Sequence, residues 1–242
     1  MRYAILSDIH GNLEAFQAVL DALSKERIDR YLSLGDVVGY GADPHACVKL
    51  LKALNPEALI AGNHEWAVLD LLDIGYFNEA TKEAVIWTKN KLSAEDAGYL
   101  KYFSLVYDTE KFSLVHGTLR SPERFYYIFS DVDAHKNMPL MKAPLLFVGH
   151  SHVAGIFYSH GAATKYTAGP KIGIDRSEKY VVNAGSIGQP RDLDPRASCA
   201  IYDDEEDTVE IKRVKYDIKT AQEKILKEGL PGMFASRLSE GR

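Results

Sequence analysis

Cysteine is almost missing from this chain. Cys47 and Cys199 stand far apart, in no metal-type or redox-type spacing, which excludes a disulfide scaffold and a thiolate metal site. Both are expected to be packing residues in a reducing compartment. Long apolar runs are missing too, and none approaches the roughly 20 residues that a membrane-spanning helix needs. No basic segment leads an apolar stretch in MRYAILSDIH, so a cytoplasmic protein without membrane partners is expected. Surplus positive charge is also absent. A formal net charge of -5 disfavours a protein that coats nucleic acid. It does not exclude an anionic substrate, because a bound metal supplies local positive charge. Repeats, low-complexity tracts and Gly/Ser/Pro-rich linkers are lacking as well. What remains is 242 residues, 46% of them hydrophobic, which suffices for one domain spanning 1–242.

The first third alternates strand, loop and helix. YAILS, RYLSLGD and ALIAGNHE read as strands that run into loops. NLEAFQAVLDALSKERI reads as an amphipathic helix, with Leu13, Phe16, Leu20 and Leu23 on one face and Asn12 as N-cap. PHACVKLLKAL is a second helix with Pro44 in its first turn. This is the pattern of an α/β protein with parallel pairing. Residues 66–100 read as mainly helical and as a possible partial lid, with SAED at 93 as a capping box. Beyond them come further short strands, expected to be mostly antiparallel, and a closing helix in DIKTAQEKILKEG. Two β-sheets between helices fit this order.

The ends of the expected strands carry a different signal. Asp8 and His10 follow the first, Asp36 the second, and Asn63 and His64 the third. His116 follows VYDTEKFSLV, and His150 and His152 follow APLLFVG. Residues just past strand carboxyl ends meet in a crevice in open α/β sheets. In Asp8-Ile9-His10, side chains two apart on an extended segment would point the same way, with Ile9 in the core. His150-Ser151-His152 repeats the spacing. Oxygen and imidazole donors without thiolates suit Mn, Fe, Zn, Co or Ni. Seven candidate ligands exceed the needs of one tetrahedral ion. Two ions bridged by one carboxylate would use them all, in the manner of pairs about 3.5–4 Å apart that act on phosphorus. His45, His135 and His160 stand outside this pattern and receive no role.

The set DIH, GD, GNHE, HG and GHSH resembles the calcineurin-like metallophosphoesterase family. NAGSIGQPRDLDPRASCAIYD and, more weakly, LPGMFASRL are similar to a phosphodiesterase-like branch of it. The resemblance implies a four-layer αββα sandwich of two mixed β-sheets flanked by helices. It implies that Asp8, His10, Asp36 and His152 hold one metal, and that Asp36, Asn63, His116 and His150 hold a second. It implies a metal-bridging hydroxide as nucleophile, with His64 protonating the leaving oxygen or stabilising its charge. One departure stands out. Where many members read Gly-Asp-x-x-Asp, this chain has GDVVG, with Gly39 in place of the Asp that orients the histidine. Asp43 or Glu65 is the expected substitute.

The segment HGTLRSPERFYYIF begins at His116, so Arg120 and Arg124 are candidate phosphate clamps, and Tyr126, Tyr127 and Phe129 could stack on a base. Arg191 in GQPRD is a further clamp candidate. The expected substrate is a small phosphodiester or a nucleotide-like phosphoanhydride, the alternative being a phosphomonoester or phosphoprotein. A nuclease is disfavoured, and so is a non-catalytic scaffold, because the ligand set is intact.

Overall fold

Residues 1–242 are all described by a computed structural model, and they form twelve strands and eight α-helices, numbered in chain order. Strand β1 (Arg2–Leu6) pairs in parallel with β2 (Arg30–Ser33), which pairs in parallel with β3 (Ala58–Leu59). On its other side β1 runs antiparallel to β11 (Ala197–Asp203), with Tyr3 opposite Tyr202. β12 (Thr208–Val214) and the short β9 (Lys171–Gly173) complete this six-stranded sheet. The second sheet has the order β4 (Val106–Asp108), β5 (Phe112–Val115), β6 (Leu145–Val148), β10 (Tyr180–Asn183), β7 (Gly155–His160), β8 (Ala163–Thr167).

Side-chain alternation on β1 shows how the layers form. Ala4 and Leu6 face outward, into a core shared with Phe16 and Val19 of α1 (Leu13–Leu23) and with Val48 and Leu51 of α2 (Pro44–Leu54). Tyr3 and Ile5 face inward, against Phe112, Leu114, Phe147 and Val182 of the second sheet. The far face of that sheet packs Leu146, Val148 and Val181 on Ala134 of α6 (Asp131–Asn137) and on Met138. The result is helix, sheet, sheet, helix. The expected caps form as well. Asn12 Oδ1 accepts from Ala15 N at 3.1 Å, and Ser93 and Asp96 make a capping box.

Residues 66–100 are mainly helical, but helix α3 starts earlier, at Asn63 (Asn63–Val68), so GNHE is a helix entry. Then come α4 (Glu79–Lys91) and α5 (Ala94–Leu100). The later strands pair mostly antiparallel, as expected, with one exception. β6 lies parallel to both β5 and β10. Between β5 and β6 the crossover is α6, seven residues in a polar segment too short to show helical periodicity, and between β6 and β10 the chain returns through β7, β8 and β9. Helix α7 (Ile218–Lys227) is the expected closing helix, and α8 (Gly232–Glu240) follows it unexpectedly. No helix is long and apolar enough to cross a membrane.

Candidate metal centre

The strand-end residues of both sheets converge, but not on extended backbone. Asp8, His10, Asp36, His150 and His152 have φ of 52°, 49°, 52°, 65° and 59°. These left-handed residues correct the extended reading of Asp-x-His and His-x-His. Such conformations persist only where surrounding contacts over-determine them. Here the loops are laced together, Asp8 N donating to Gly35 O at 3.0 Å and His10 N to Asp36 O at 2.9 Å. Ile9, as expected, points into the core.

The donors fall into two groups. Asp8, His10, Asp36 and His152 have ligand atoms within 4.8 Å of one another, and so do Asp36, His116 and His150. Asp36 belongs to both. The two histidines of GHSH therefore divide between the groups rather than sharing one. In the first, His152 Nε2 lies 3.2 Å from Asp8 Oδ1, and His10 Nε2 lies 3.6 Å from Asp36 Oδ2. In the second, His116 Nε2 lies 3.2 Å from Asp36 Oδ2. A bare carboxylate or imidazole cluster of this density, all of it buried, is costly without a cation.

Backbone carbonyls fix which nitrogens face inward. His10, His116 and His152 each donate an Nδ1–H to a carbonyl, of Val38 at 3.0 Å, Leu34 at 2.7 Å and Gln189 at 2.6 Å. Their Nε2 lone pairs are thereby directed into the cluster. His10 Nε2 then meets His152 Nε2 at 3.1 Å, and His116 Nε2 meets His150 Nδ1 at 3.1 Å. Two lone pairs at that distance repel unless a proton or a metal ion lies between them. The pKa values agree. Burial holds His10 and His152 below the usual imidazole range and His150 down at about 3. Burial would lower His116 too, but the charge and hydrogen bond of Asp36 lift it to about 9. Asn63 supplies a further orphan: its Oδ1 is buried with no hydrogen-bond partner. Its neighbours embrace Asp36, since His64 N donates to Asp36 Oδ1 at 2.9 Å and a Cβ on Gly62 would lie 2.1 Å from that oxygen. The donor set thus fits divalent ions.

His64 sits between Tyr40 and Phe77, with ring centroids 4.5 and 5.7 Å away. Its Nδ1 is buried and unpartnered, and burial lowers its pKa to about 4. Neither expected substitute orients it. Asp43 is held by Lys224 at 2.8 Å. Glu65 accepts instead from the backbone N–H of Asp36 at 2.6 Å, Val37 at 2.8 Å and Gly62 at 2.8 Å. The departure at position 39 has a steric counterpart. Gly39 has φ +97°, and a Cβ there would lie 2.2 Å from His64 Nδ1. The histidine ring occupies the space an aspartate would need.

A family model for the calcineurin-like phosphoesterase superfamily domain matches residues 1–207. The chain belongs to that superfamily. This calcineurin-like phosphoesterase is 39% identical over 244 residues to an uncharacterised protein of Methanocaldococcus jannaschii, covering 99% of this chain and 98% of the other. Its fold matches the crystal structure of a metallophosphoesterase from Sphaerobacter thermophilus with TM-score 0.87 and 36% identity, over 100% and 99% of the two chains. A hypothetical protein from Pyrococcus horikoshii OT3 shares the fold at TM-score 0.80 and 22% identity, over 100% and 98%. As a metallophosphoesterase the chain is a hydrolase of a family that uses divalent metals.

The substrate candidates of this phosphoesterase are placed unequally. Arg120 lines a cavity of about 500 Å³ with Thr118, Ser121, Tyr126, Tyr127 and Lys136. Arg124 is exposed and outside that cavity. Tyr127 stacks on His150 at 3.9 Å and Phe129 on Tyr127 at 4.9 Å, so the aromatics climb from the metal site towards solvent. Arg191 reaches the opposite rim, its Nη2 donating to Gln189 Oε1 at 2.8 Å. Sequence reasoning missed Gln189, which anchors His152 and Arg191 together, and Tyr40, which packs on both His10 and His64. The quoted GQPRD stretch was the signal for the first. Nothing in GDVVGY marks the second.

Proposed function

We propose that this metallophosphoesterase uses two divalent ions to hydrolyse a small phosphodiester or a nucleotide-type phosphoanhydride. Asp8, His10, Asp36 and His152 hold one ion, and Asp36, Asn63, His116 and His150 hold the other. The observation that carries this reading is Asp36, which is common to both donor groups and whose Oδ2 faces His10 of one and His116 of the other. Bound there, the ions would polarise phosphoryl oxygens and lower the pKa of a water molecule. The protein supplies the rest. Nδ1–H bonds to Val38, Leu34 and Gln189 hold three imidazoles in the ligating tautomer. His64 stays neutral at pH 7 and offers a ring N–H to the leaving oxygen, without a carboxylate behind it. Exposed Phe129, stacked on Tyr127, presents a face for a base, and Arg120 lines the cavity that Tyr127 borders.

The test is elemental analysis after loading with Mn, Ni or Mg, joined to turnover on monoesters, diesters and dinucleoside polyphosphates. Two ions per chain are expected, with diesters or anhydrides favoured. A stoichiometry that never exceeds one would refute the dinuclear reading, and a preference for monoesters would move the substrate class. Arg120→Ala should raise KM for a nucleotide substrate by about 10-fold or more, the worth of one charged hydrogen bond. Arg124→Ala should leave KM where it is.

A further inference from the structure

The C-terminal helix α8 was not expected from the sequence, and it lies against the catalytic face. Phe234 of α8 packs on Tyr40, with ring centroids 4.8 Å apart. Leu238 lines a narrow crevice with His10, Tyr40 and Gln189. Arg237 stands three residues after Phe234, hence on the same side of the helix. The guanidinium carbon of Arg191 lies 5.5 Å from the centroid of the same Tyr40 ring.

Neither arginine has a carboxylate partner. Arg191 donates only to the neutral Gln189 amide, through Nε at 3.2 Å and Nη2 at 2.8 Å. The carboxylate next to it, Asp192, is taken by Arg213. The Arg237 side chain makes no hydrogen bond and no ion pair, although it is half-buried. Burial, and then the charge of Arg191, press Arg237 below its ordinary pKa. The charge of Arg191 also reaches His64 and His152. Other arginines of this chain are matched to carboxylates, as Arg176 is to Asp207 at 2.7 Å and Arg196 to Asp194 at 2.6 Å, while unmatched Arg120 and Arg124 lie largely in solvent. Two unmatched guanidinium groups, one over the Tyr40 ring and one on the helix that packs against that ring, lack only an anion.

We propose that Arg191, over the Tyr40 ring, and Arg237, on the helix that packs against that ring, clamp a second phosphate of the substrate beside the one that reacts. The clamp rests on the phosphoesterase reading of the metal centre, and it narrows the substrate to molecules with two or more linked phosphates. Gln189 acts as a positioning residue, since its side chain holds Arg191 while its carbonyl holds His152. The specificity element is thereby tied to the metal site through one residue.

The experiment is calorimetric binding to the metal-loaded protein. The probes are a methylene-bridged nucleoside diphosphate analogue, which cannot be cleaved at the bridge, and the corresponding nucleoside monophosphate. Arg237→Ala should weaken the diphosphate analogue at least tenfold and the monophosphate less than threefold. Arg237→Lys, which keeps the charge, should recover part of the loss. Equal weakening of both probes, no weakening of either, or failure of the wild type to bind the diphosphate more tightly than the monophosphate would overturn the clamp. Turnover of a simple aryl phosphodiester by the wild type reports separately on the metal-centre reading. Binding can thus fail while hydrolysis stands, and the reverse.

Discussion

Replacing Glu65 by glutamine swaps one carboxylate oxygen for an NH₂ group where backbone amides point inward. Glu65 is fully buried. Its Oε2 accepts from Asp36 N at 2.6 Å and Gly62 N at 2.8 Å, and its Oε1 from Val37 N at 2.8 Å and Val38 N at 3.4 Å. Whichever way the new amide turns, its NH₂ must face at least one strong donor. The cheaper choice gives up the Oε1 bonds. One charge-assisted hydrogen bond is worth about 1.5–3 kcal/mol, and an opposed buried donor adds about 1–3 kcal/mol. Glu65→Gln should therefore cost about 3–5 kcal/mol. For a chain of this size that is a drop in Tm of roughly 6–20 °C. The loop that moves carries Asp36, so the ion content measured by elemental analysis should fall with it. A Tm within about 2 °C of wild type, together with full metal content, would refute the reasoning, because the carboxylate would then not be what sets this loop.

Three further outcomes follow from the site. His64→Ala should reduce kcat by about 10²–10⁴-fold on alkyl phosphodiesters and much less on nitrophenyl esters, with metal content unchanged; equal losses would show that His64 binds the phosphoryl group instead. Gly39→Asp, which restores the residue common in the family, should lower turnover rather than raise it, since its Cβ would meet His64 Nδ1 at 2.2 Å; a gain in kcat would overturn the steric account. The metal-free protein should be most stable near neutral pH. His10, His64, His150 and His152 are held neutral by burial, so their contribution is present above the unfolded value of about 6.5 and lost as pH falls below it. His116, raised to about 9, contributes fully below 6.5 and loses that as pH rises through 9. Glu65, lifted to about 7 by burial and by Asp36, opposes the acid limb as one group against four. Thermal melts across pH 5 to 10 with a chelator should trace this dome, and metal loading should remove its alkaline side; a flat profile would contradict it.

The clustering of the donors was the most legible part of the sequence, because each donor loop follows an apolar strand. That is local information, and Asp8, Asp36, His116 and His150 carry it without any knowledge of topology. The two-sheet architecture was legible for the same reason. What the sequence withheld was geometry between segments. The backbone of Asp8 and His152 is left-handed because loops from two sheets interlock, and no spacing rule shows that. Gly39 was visible as a departure, but its fit against His64 was not. The short helix α6 and the terminal helix α8 are seven and nine residues long, too brief for periodicity to outweigh their polar content. Arg237 could not be connected to Tyr40 from sequence at all.

The pairing of β1 with β11 has a consequence for how the protein is made. β1 precedes its partner β11 by most of this sequence, with Tyr202 opposite Tyr3. At about 5–20 residues per second, the nascent chain waits roughly 10–40 s with one edge of β1 unpaired. All the donor residues emerge within that interval. The amides of the Asp8 loop can bond early to Gly35 and Asp36, but the Asp8 carbonyl finds its donors only when Ser186 and Gly188 arrive, at 2.8 and 2.9 Å. Ions met earlier find a loose array of imidazoles and carboxylates. The donor array therefore reaches its final arrangement only late, after the first sheet has closed.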